Sequence, residues 1–277
     1  MQRSFERRID SVDQRLVLLA PAGAVVPGYF QNVTIDPDRR ERQIREMQRL
    51  RGEIYLRDGA VHAHELSAEG LHQTPEDAKS WHLLMYKEGR RLSSTMWYME
   101  HHSPTFEQLR VCTCPLRNVP EWRDLLSRAV EVEIARARDE HLHYAEIGGW
   151  AVAAESRCTT EGLVLALAAY SLGRIFGGSL GMTNATVRHA SSTILKQIGG
   201  SPLEADGVTI PPYFDPRYGC QMELLRFDSR RPNSRFGVLI ELLRKKLSDV
   251  VVVAAEAATL SEPTYVGVTR PLGAQCA

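Results

Sequence analysis

The chain has 277 residues, of which 43% are hydrophobic and 25% are charged, the composition of an ordinary globular protein. Its 34 basic and 34 acidic side chains cancel, so the net charge gives no support to a nucleic acid or another polyanion as partner. The longest apolar runs, near 163–172 and 250–260, are shorter than the roughly 20 residues of a membrane span, which predicts a chain without one. Five cysteines without a disulfide framework, and a first segment (MQRSFERRIDSVDQR) without the apolar core of a signal peptide, predict a cytoplasmic protein.

The first hundred residues contain the signals of one helix and one hairpin. Ahead of the helix and the hairpin, RLVLLAPAGAVVPGYF has room for one short strand followed by turns. Apolar residues then recur at helical spacing between a proline and a glycine, which predicts a helix over 37–57. Residues 59–80 have no sustained period and predict a loop. The stretch WHLLMYKEGRRLSSTMWYMEHH predicts two strands joined by a turn at Glu88-Gly89.

From Pro120 onward, helices alternate with strands. EWRDLLSRAVEVEIARARDE carries an apolar helical stripe, the uncharged run 147–154 predicts a strand, and LVLALAAYSLGRIF predicts a buried helix capped by Thr159 or Thr160. SLGMTNAT and CQMELLRFD predict strands, VRHASSTILKQI predicts a helix closed by two glycines, and FGVLIELLRKKL predicts an amphipathic helix. VVVVAAEAATL fits either one more strand or a buried helix. This order of elements predicts a mixed α/β fold.

The stretch YAEIGGWAVAAESR, residues 144–157, raises the functional question. Its glycine pair leaves a strand without side-chain bulk, which often marks a bulge or the close approach of a ligand. The helix that follows offers free backbone N–H groups and a positive dipole at its N-terminus, and Arg157 adds a cation there, so an anion can bind. The alternative is an ordinary strand and helix of the core, with Arg157 as a solvated surface charge.

At these residues the order of elements resembles that of the GNAT N-acyltransferases: a helix, an antiparallel hairpin, a central strand, a pyrophosphate-binding loop and helix, then a second strand and helix. SLGMTNATVRHASSTILKQIGG is similar to the second strand and helix, and EIGGWAV resembles a strand of the acyl-homoserine lactone synthases and the long-chain N-acyl amino acid synthases. The resemblance covers residues 37–229. It implies a single acyltransferase domain over 1–260, with a mixed, centrally splayed β-sheet flanked by helices, and an exposed tail over 261–277.

The resemblance implies transfer of a medium or long acyl group from an acyl-carrier-protein or coenzyme A thioester to the amine of an amino-acid-like acceptor. Glu146 matches the glutamate that resembles a general base in the lactone synthases, and a carboxylate there can take the proton of the amine directly or through one water. His189 either donates a proton to the thioester sulfur or only caps its helix. The residues implied in holding the acyl-phosphopantetheine arm are Trp150, Ala151, Val152, Ala153, Arg157, Thr160, Gly162, Asn184 and Arg188.

Three departures from the family pattern bear on donor and acceptor. The usual acetyl-CoA loop, Gln/Arg-x-x-Gly-x-Gly/Ala, is RCTTEG here, with Thr160 in place of the first glycine, which favours a carrier protein as donor over coenzyme A. Leu195 stands where many members have a tyrosine acid, which favours the alternative of a non-catalytic acyl-binding or regulatory protein on the same fold. GGW replaces Gly-Arg-Phe, so the arginine that shapes the lactone-synthase pocket is missing. An acetyl-CoA-dependent N-acetyltransferase is the third alternative.

The remaining candidates concern pockets, partners and metals. A basic run over 226–246 predicts either a docking surface for an acidic carrier protein or a solvated face. Cys112 and Cys114 lack a second pair of zinc ligands, and the histidines at 62, 64, 72, 101 and 102 predict surface positions, so neither a metal nor a tightly bound cofactor is expected. The residues predicted to line an acceptor or acyl pocket are Trp97, Tyr213, Phe214 and Tyr218, although the YFDPRYG loop fits a mere cover of the sheet equally well.

Overall fold

The computed structural model of the chain describes residues 9, 11–87 and 91–256, and of His189 it describes the backbone only. The predicted turn at Glu88-Gly89 and the predicted tail over 261–277 lie outside these residues. The helices are α1 (Val12–Arg15), α2 (Pro37–Arg57), α3 (Pro120–Asp139), α4 (Glu161–Ile175), α5 (Ser191–Ile198) and α6 (Gly237–Leu247). The strands are β1 (Leu16–Leu19), β2 (Val33–Ile35), β3 (Trp81–Tyr86), β4 (Leu92–His101), β5 (His143–Val152), β6 (Ser179–Thr186), β7 (Ser201–Pro202), β8 (Glu204–Ala205), β9 (Val208–Thr209), β10 (Tyr213–Asp215), β11 (Cys220–Asp228) and β12 (Val251–Ala254).

One large mixed sheet organises the described residues. Its strand order is β10-β11-β6-β5-β4-β3-β1-β12-β2, with β7 beside β11, while β8 and β9 form a separate small hairpin. Neighbouring strands are antiparallel except that β5 runs parallel to β6, and β12 runs parallel to both β1 and β2. The mixed α/β fold predicted from the sequence is therefore confirmed.

The helix α2 shows how local signals set a boundary. The side chain of Asp36 caps its N-terminus, because Oδ1 accepts a hydrogen bond from the N–H of Arg39 at 2.8 Å. Pro37 occupies the first helical position, where the N–H that proline lacks has no partner to lose. The helix has the predicted bounds, and so do the strands β6 and β11.

Three segments correct the prediction or decide between its alternatives. β5 begins at His143, before the predicted run 147–154, and ends at Val152. The helix predicted over 187–198 is only α5, preceded by a 3₁₀ turn, because Ala190 has a left-handed φ of 61° that interrupts a continuous helix. VVVVAAEAATL supplies the strand β12 rather than a helix, since β1 and β2 flank it on both sides.

Helices cover both faces of the sheet. Successive strand residues point to opposite faces, so Leu16 and Leu18 pack with α4 and α6, whereas Leu19 packs with α2. Beside α2, the helix α3 buries its apolar stripe against β6 and β11. α4 is apolar on nearly every side, which fits its position between the sheet and α6. None of the helices within the described residues is long and apolar enough to cross a membrane.

The seam between β5 and β6 is closed over its first half and then opens. Residue pairs run from His143 and Ser179 to Ile147 and Thr183, after which the strands continue without pairing to each other. In the closed half a Cβ at position 181 would lie 2.1 Å from the carbonyl oxygen of Ala145, so only glycine permits this approach. The open half is the central splay that the family resemblance implied.

Candidate active site

Two cavities meet at the splay. The first, of about 270 Å³, reaches Glu146 beneath the segment that precedes α3, and we call it the glutamate cavity. The second, of about 330 Å³, lies between the splayed strands, the loop before α4 and the C-terminal end of α2, and we call it the loop cavity. The residues that line both cavities are Ile147, Gly148, Thr183, Asn184 and Tyr218. The two cavities therefore adjoin at the splay.

A β-bulge shapes the rim where the cavities meet. Thr95 pairs with Ala151 but Trp97 pairs with Gly148, so β5 carries one extra residue at this point. Gly149 has a φ of 62°. A Cβ on Gly148 would lie 2.3 Å from the ring of Trp97, and one on Gly149 would lie 2.2 Å from it. The two glycines thus make room for the indole, which lines the glutamate cavity.

Glu146 is the buried carboxylate of the glutamate cavity, only 4% exposed. Its Oε2 lies 3.0 Å from Nε2 of His101, and its Oε1 accepts a hydrogen bond from the N–H of Arg110 at 2.9 Å. His101 reaches it as a diagonal neighbour on the adjacent strand, since His101 pairs with Tyr144 and Met99 pairs with Glu146. The carboxylate is held from two sides, and a carboxylate has further lone pairs for a third group.

Two other charged groups of the glutamate cavity, Arg110 and Asp215, have partners of their own. The guanidinium of Arg110 lies over the Trp97 ring, 5.7 Å from its centroid, and forms an ion pair with Glu76 at 2.9 Å. Asp215 is buried and accepts a hydrogen bond from the N–H of Arg217 at 2.9 Å. The cavity therefore presents cations and carboxylates around an aromatic wall, which suits a small zwitterionic ligand.

Two tyrosines supply neutral hydroxyl groups. Tyr218 lines both cavities, and Tyr55 lines the loop cavity. Neither hydroxyl forms a hydrogen bond to another part of the chain that the structure describes. Burial raises the pKa of Tyr218, against the opposing effect of nearby arginines, and burial also raises the pKa of Tyr55. Both side chains thus remain phenols at neutral pH and can donate a proton or a hydrogen bond.

The N-terminus of α4 forms one end of the loop cavity. The hydroxyl of Thr159 accepts a hydrogen bond from the first helical N–H at 3.2 Å, while the hydroxyl of Thr160 is buried without a partner among the described residues. The N–H of Val164 is the first to bond within the helix, at 2.9 Å from the carbonyl of Thr160. The N–H groups of Gly162 and Leu163 consequently have no acceptor in the described chain. Free N–H groups at a helix N-terminus favour an anion.

The acidic residue in the first turn of α4 does not oppose such an anion. The carboxylate of Glu161 is buried and turned toward the sheet, where it pairs with Arg15 at 3.1 Å and accepts a hydrogen bond from Ser94 at 3.0 Å. It lines neither cavity. Its negative charge is therefore matched by Arg15 and kept out of the loop cavity.

Three charged residues line the loop cavity: Asp58, Arg157 and Arg188. The guanidinium of Arg157 forms an ion pair with the carboxylate of Asp58. Arg188 donates hydrogen bonds to the backbone carbonyls of Asp58, at 2.6 Å, and of Tyr218, at 3.2 Å. Burial raises the pKa of Asp58, but hydrogen bonds from Arg157 and Arg57 outweigh it and hold that pKa below its ordinary value. Asp58 is thus an ionised carboxylate at neutral pH.

The four residues at the C-terminal end of β5 and just after it that were predicted to hold a donor arm fall into two pairs. The N–H of Ala153 donates to the carbonyl of Ser93 at 2.8 Å, and because successive residues alternate, Ala151 also directs its backbone groups to β4. Trp150 and Val152 face the splay and line the loop cavity. The indole N–H of Trp150 is buried without a partner in the described chain.

The remaining predicted site residues are scattered. Asn184 lines both cavities, and its Nδ2 donates to the hydroxyl of Tyr213 at 2.7 Å, which places Tyr213 behind the lining. Phe214 is 55% exposed and lines neither cavity. The side chain of His189 lies outside the described part of the chain. The roles assigned to these residues from the sequence stay predictions.

A narrow apolar recess of about 10 Å³ continues from the loop cavity toward α4. The residues it shares with that cavity are Met96, Ile147, Thr183 and Leu195. Tyr170 and Phe227 also line it. This space is about that of one water molecule, so an acyl chain enters only if these side chains move.

Several solved structures resemble this one. A CoA-dependent acyl-homoserine lactone synthase, BjaI, with SAM and isopentyl-CoA, matches with a TM-score of 0.52 and 14% identity over 86% of this chain and 92% of that chain. The chain has the fold of an acyl-homoserine lactone synthase. BjaI with MTA gives a TM-score of 0.50 at 13% identity over 86% and 92% of the two chains. FeeM, an N-acyl amino acid synthase from uncultured soil microbes, gives 0.45 at 13% identity over 78% and 92%. No protein-family model and no curated protein matches the sequence.

Within this lactone-synthase fold, the contact between His101 and Glu146 escaped the sequence analysis. A surface position was expected for His101, but its side chain is only 15% exposed and lies against Glu146. His62, His64 and His102 are exposed as predicted, and His72 is half-buried. Cross-strand neighbours far apart in sequence leave no local signal, so residue spacing gave no means of finding this pair.

The structure also bears on metal binding and on the basic run over 226–246. Within the described residues, no group of three or more His, Cys, Asp or Glu side chains is placed to hold a metal ion. The basic run over 226–246 is partly paired within the chain, for example Arg226 with Glu133 and Arg244 with Glu241, both at 2.7 Å. A docking role for this run stays a prediction.

Proposed function

We propose that the chain is an N-acyltransferase, which moves an acyl group from a pantetheine thioester to the amine of an amino-acid-like acceptor. The observation that carries the proposal is the junction of two cavities at the splay. One contains a buried carboxylate, and the other ends at free backbone N–H groups of a helix N-terminus. This arrangement suits a reaction in which an amine and an anionic donor are brought together. The fold shared with BjaI, a CoA-dependent acyl-homoserine lactone synthase, supports a thioester donor.

The loop cavity is the proposed donor site. The phosphate of the pantetheine arm binds at the N–H groups of Gly162 and Leu163, where the helix dipole favours an anion. The amides of the arm pair with the backbone of Trp150 and Val152, which faces the splay in place of a neighbouring strand. This orientation brings the thioester to the bulge at Gly149, where the two cavities meet.

The glutamate cavity is the proposed acceptor site. Arg110 and Arg217 line it and can pair with the carboxylate of an amino-acid-like acceptor. The amine then faces Glu146. A protonated amine is not a nucleophile, so Glu146 takes a proton from it directly or through one water, while His101 and the N–H of Arg110 keep the carboxylate oriented.

The chemical step joins the two sites. The neutral amine attacks the thioester carbonyl, a C–N bond forms, and negative charge develops on the carbonyl oxygen near the backbone N–H of Trp150. The C–S bond then breaks, the nitrogen releases its extra proton to solvent, and the departing thiolate takes up a proton. We assign that proton to Tyr218, which is a phenol at neutral pH, lines both cavities and is reprotonated from solvent. The net products are an amide, a free thiol and one proton.

The proposal is tested by following thiol release from acyl-carrier-protein and acyl-CoA thioesters of several chain lengths, with a panel of amino acids as acceptors. We expect release that depends on both donor and acceptor, and mass spectrometry should detect the N-acyl product. Acceptor-independent hydrolysis alone would contradict acyl transfer to an amine, and bound lipid without turnover would instead identify a non-catalytic acyl-binding protein. Acceptor-dependent turnover with acetyl-CoA as the only accepted donor would identify an acetyltransferase. We further propose one acyltransferase domain over residues 1–260 and a cytoplasmic location.

A further inference from the structure

We propose that Asp58 determines which thioester donor the loop cavity accepts, because its carboxylate competes with donor phosphate groups for Arg157. This inference rests on the proposed function, since it concerns the same donor site. Asp58 is the C-cap of α2, an element remote in sequence from the loop and strands that form the rest of the site. It is nevertheless the one carboxylate among the described residues that line the loop cavity.

The backbone of Asp58 is held firmly in place. The N–H of Asp58 bonds to the carbonyl of Ile54 at 2.9 Å, which continues the hydrogen bonding of α2. About two turns before Asp58, the fully buried Arg51 pairs with Asp77 at 2.8 Å and anchors the helix to the loop beneath it. The carboxylate of Asp58 cannot swing away with a flexible segment when a ligand arrives. A donor phosphate that approaches Arg157 must therefore displace or tolerate this carboxylate, which also pairs with Arg57 at 3.2 Å.

The charges of the cavity lining favour a donor with few phosphates. Arg157 is already neutralised by Asp58, which leaves Arg188 as the cation without a carboxylate partner in the lining. The N–H groups of Gly162 and Leu163 provide a binding position for one phosphate that does not require Arg157. A further phosphate that reaches Arg157 comes close to Asp58, and like charges repel where solvent is partly excluded.

The two donor classes differ in this respect. The phosphopantetheine arm of a carrier protein carries a single phosphodiester, whereas the nucleotide end of coenzyme A is a polyanion. Asp58 thus acts as a repulsive element against coenzyme A while leaving the single phosphate of a carrier arm its own binding position. Selectivity between related ligands commonly depends on such a repulsive group as well as on attractive contacts.

The test is isothermal titration calorimetry with three ligands: coenzyme A, 4′-phosphopantetheine and pantetheine. For Asp58→Asn we expect coenzyme A to bind on the order of tenfold more tightly than to the wild type, the size of one charge-assisted hydrogen bond. The gain should be smaller for 4′-phosphopantetheine and absent for pantetheine, and it should shrink in high salt because screening weakens the repulsion. Adding Arg157→Gln to Asp58→Asn should abolish the gain.

Controls separate charge from structure. Asp38→Asn makes the same charge change at the opposite end of α2, where the side chain is exposed, and should leave all three affinities unchanged. Asp58→Ser repeats the test should the asparagine variant fold poorly, as judged by circular dichroism. An unchanged or weaker affinity for coenzyme A in a folded Asp58 variant overturns the proposal. A gain of equal size with pantetheine also overturns it, since that ligand has no phosphate.

The outcome is independent of the proposed chemistry. If the wild type releases no thiol from any thioester but Asp58→Asn still binds coenzyme A more tightly, the acyltransferase proposal fails and the role of Asp58 stands. If the wild type turns over carrier-bound thioesters and Asp58→Asn has wild-type affinities, the role of Asp58 fails and the acyltransferase proposal stands.

Discussion

The closed and open halves of the β5–β6 seam are built from the same two strands but have opposite characters. In the closed half, His143 to Ile147 pair with Ser179 to Thr183, and the strands approach so closely that position 181 tolerates only glycine. In the open half the strands leave backbone groups without a neighbouring strand, and a bulge lets Trp97 lie across two glycines. The difference shows that the site is a gap in the sheet whose position is set by the rigid pairing beside it. Glu146 lies at the boundary, within the closed half but open to a cavity.

The largest effect is expected from the carboxylate at that boundary. Glu146→Gln keeps the shape and loses the base, so acceptor-dependent thiol release should fall by about 10²- to 10⁴-fold, the usual contribution of a general base. Circular dichroism should show an unchanged fold. Glu133→Gln is the matched control, since Glu133 is equally buried but pairs with Arg226 at 2.7 Å away from both cavities. That variant should lose stability and keep its activity; equal activity losses in the two variants would remove Glu146 from the mechanism.

A methyl group on the bulge, at the start of the open half, tests whether the contact between the bulge and Trp97 stabilises the fold. Gly149→Ala imposes a left-handed conformation on alanine and places its Cβ 2.2 Å from the Trp97 ring. We expect the free energy of unfolding in urea to fall by about 2–5 kcal/mol, from strain and overpacking together. Gly207→Ala carries the same strain, with a φ of 74°, but meets no atom within 4 Å. It should cost only about 1–2 kcal/mol. Similar losses in both variants would show that Trp97 yields freely and does not fix the bulge.

Beside the closed half, β4 carries a partly buried carboxyl whose effect on stability depends on pH. Burial raises the pKa of Glu100 on β4 from its ordinary 4.5 to about 7. Between these values the folded protein holds a proton that the unfolded chain releases, so the free energy of unfolding falls as pH rises through this window. Glu100→Gln lacks this titration and should be more stable than the wild type by about 1–3 kcal/mol at pH 8 and similar to it near pH 4. Urea denaturation at the two pH values measures this, and an equal difference at both would exclude Glu100 as the cause.

The smallest effect concerns acyl length in the open half. Leu195→Ala enlarges the recess that Leu195 shares with the loop cavity, so the ratio of kcat/KM for a longer donor to that for a shorter one should rise by about three- to tenfold. Ile198→Ala removes a buried side chain from the same helix without lining the recess, and should leave the ratio unchanged. A ratio that rises equally in both variants points to a loosened α5 rather than to a larger recess.

Local sequence signals predicted the bounds of the helices and strands better than the contacts of the site. Asp36 and Pro37 marked the start of α2, and the bounds of β6 and β11 followed from their apolar runs, because caps, turns and alternation are encoded within a few residues. The strand that carries Glu146 and the loop before α4 were also predicted, since a glycine pair followed by a helix start is a local pattern.

What escaped the sequence analysis depends on contacts between distant segments. The contact of His101 with Glu146 requires the register of β4 against β5, and the ion pair of Asp58 with Arg157 requires the end of α2 to reach the loop before α4. The choice of strand for β12 likewise depends on β1 and β2, which lie at the other end of the described chain. No window of neighbouring residues contains that information.

The place of β12 also sets an order of events during synthesis. Val17 pairs with Val251, and Val33 pairs with Val252, so β12 joins β1 to β2, which has no other partner in the sheet. The ribosome delivers β12 after all the other described strands. Until then β1 presents an unpaired, apolar edge, the kind of surface on which nascent chains associate with one another. This side of the sheet is thus incomplete as the chain emerges, and its completion waits for β12, the last of the described strands to be made.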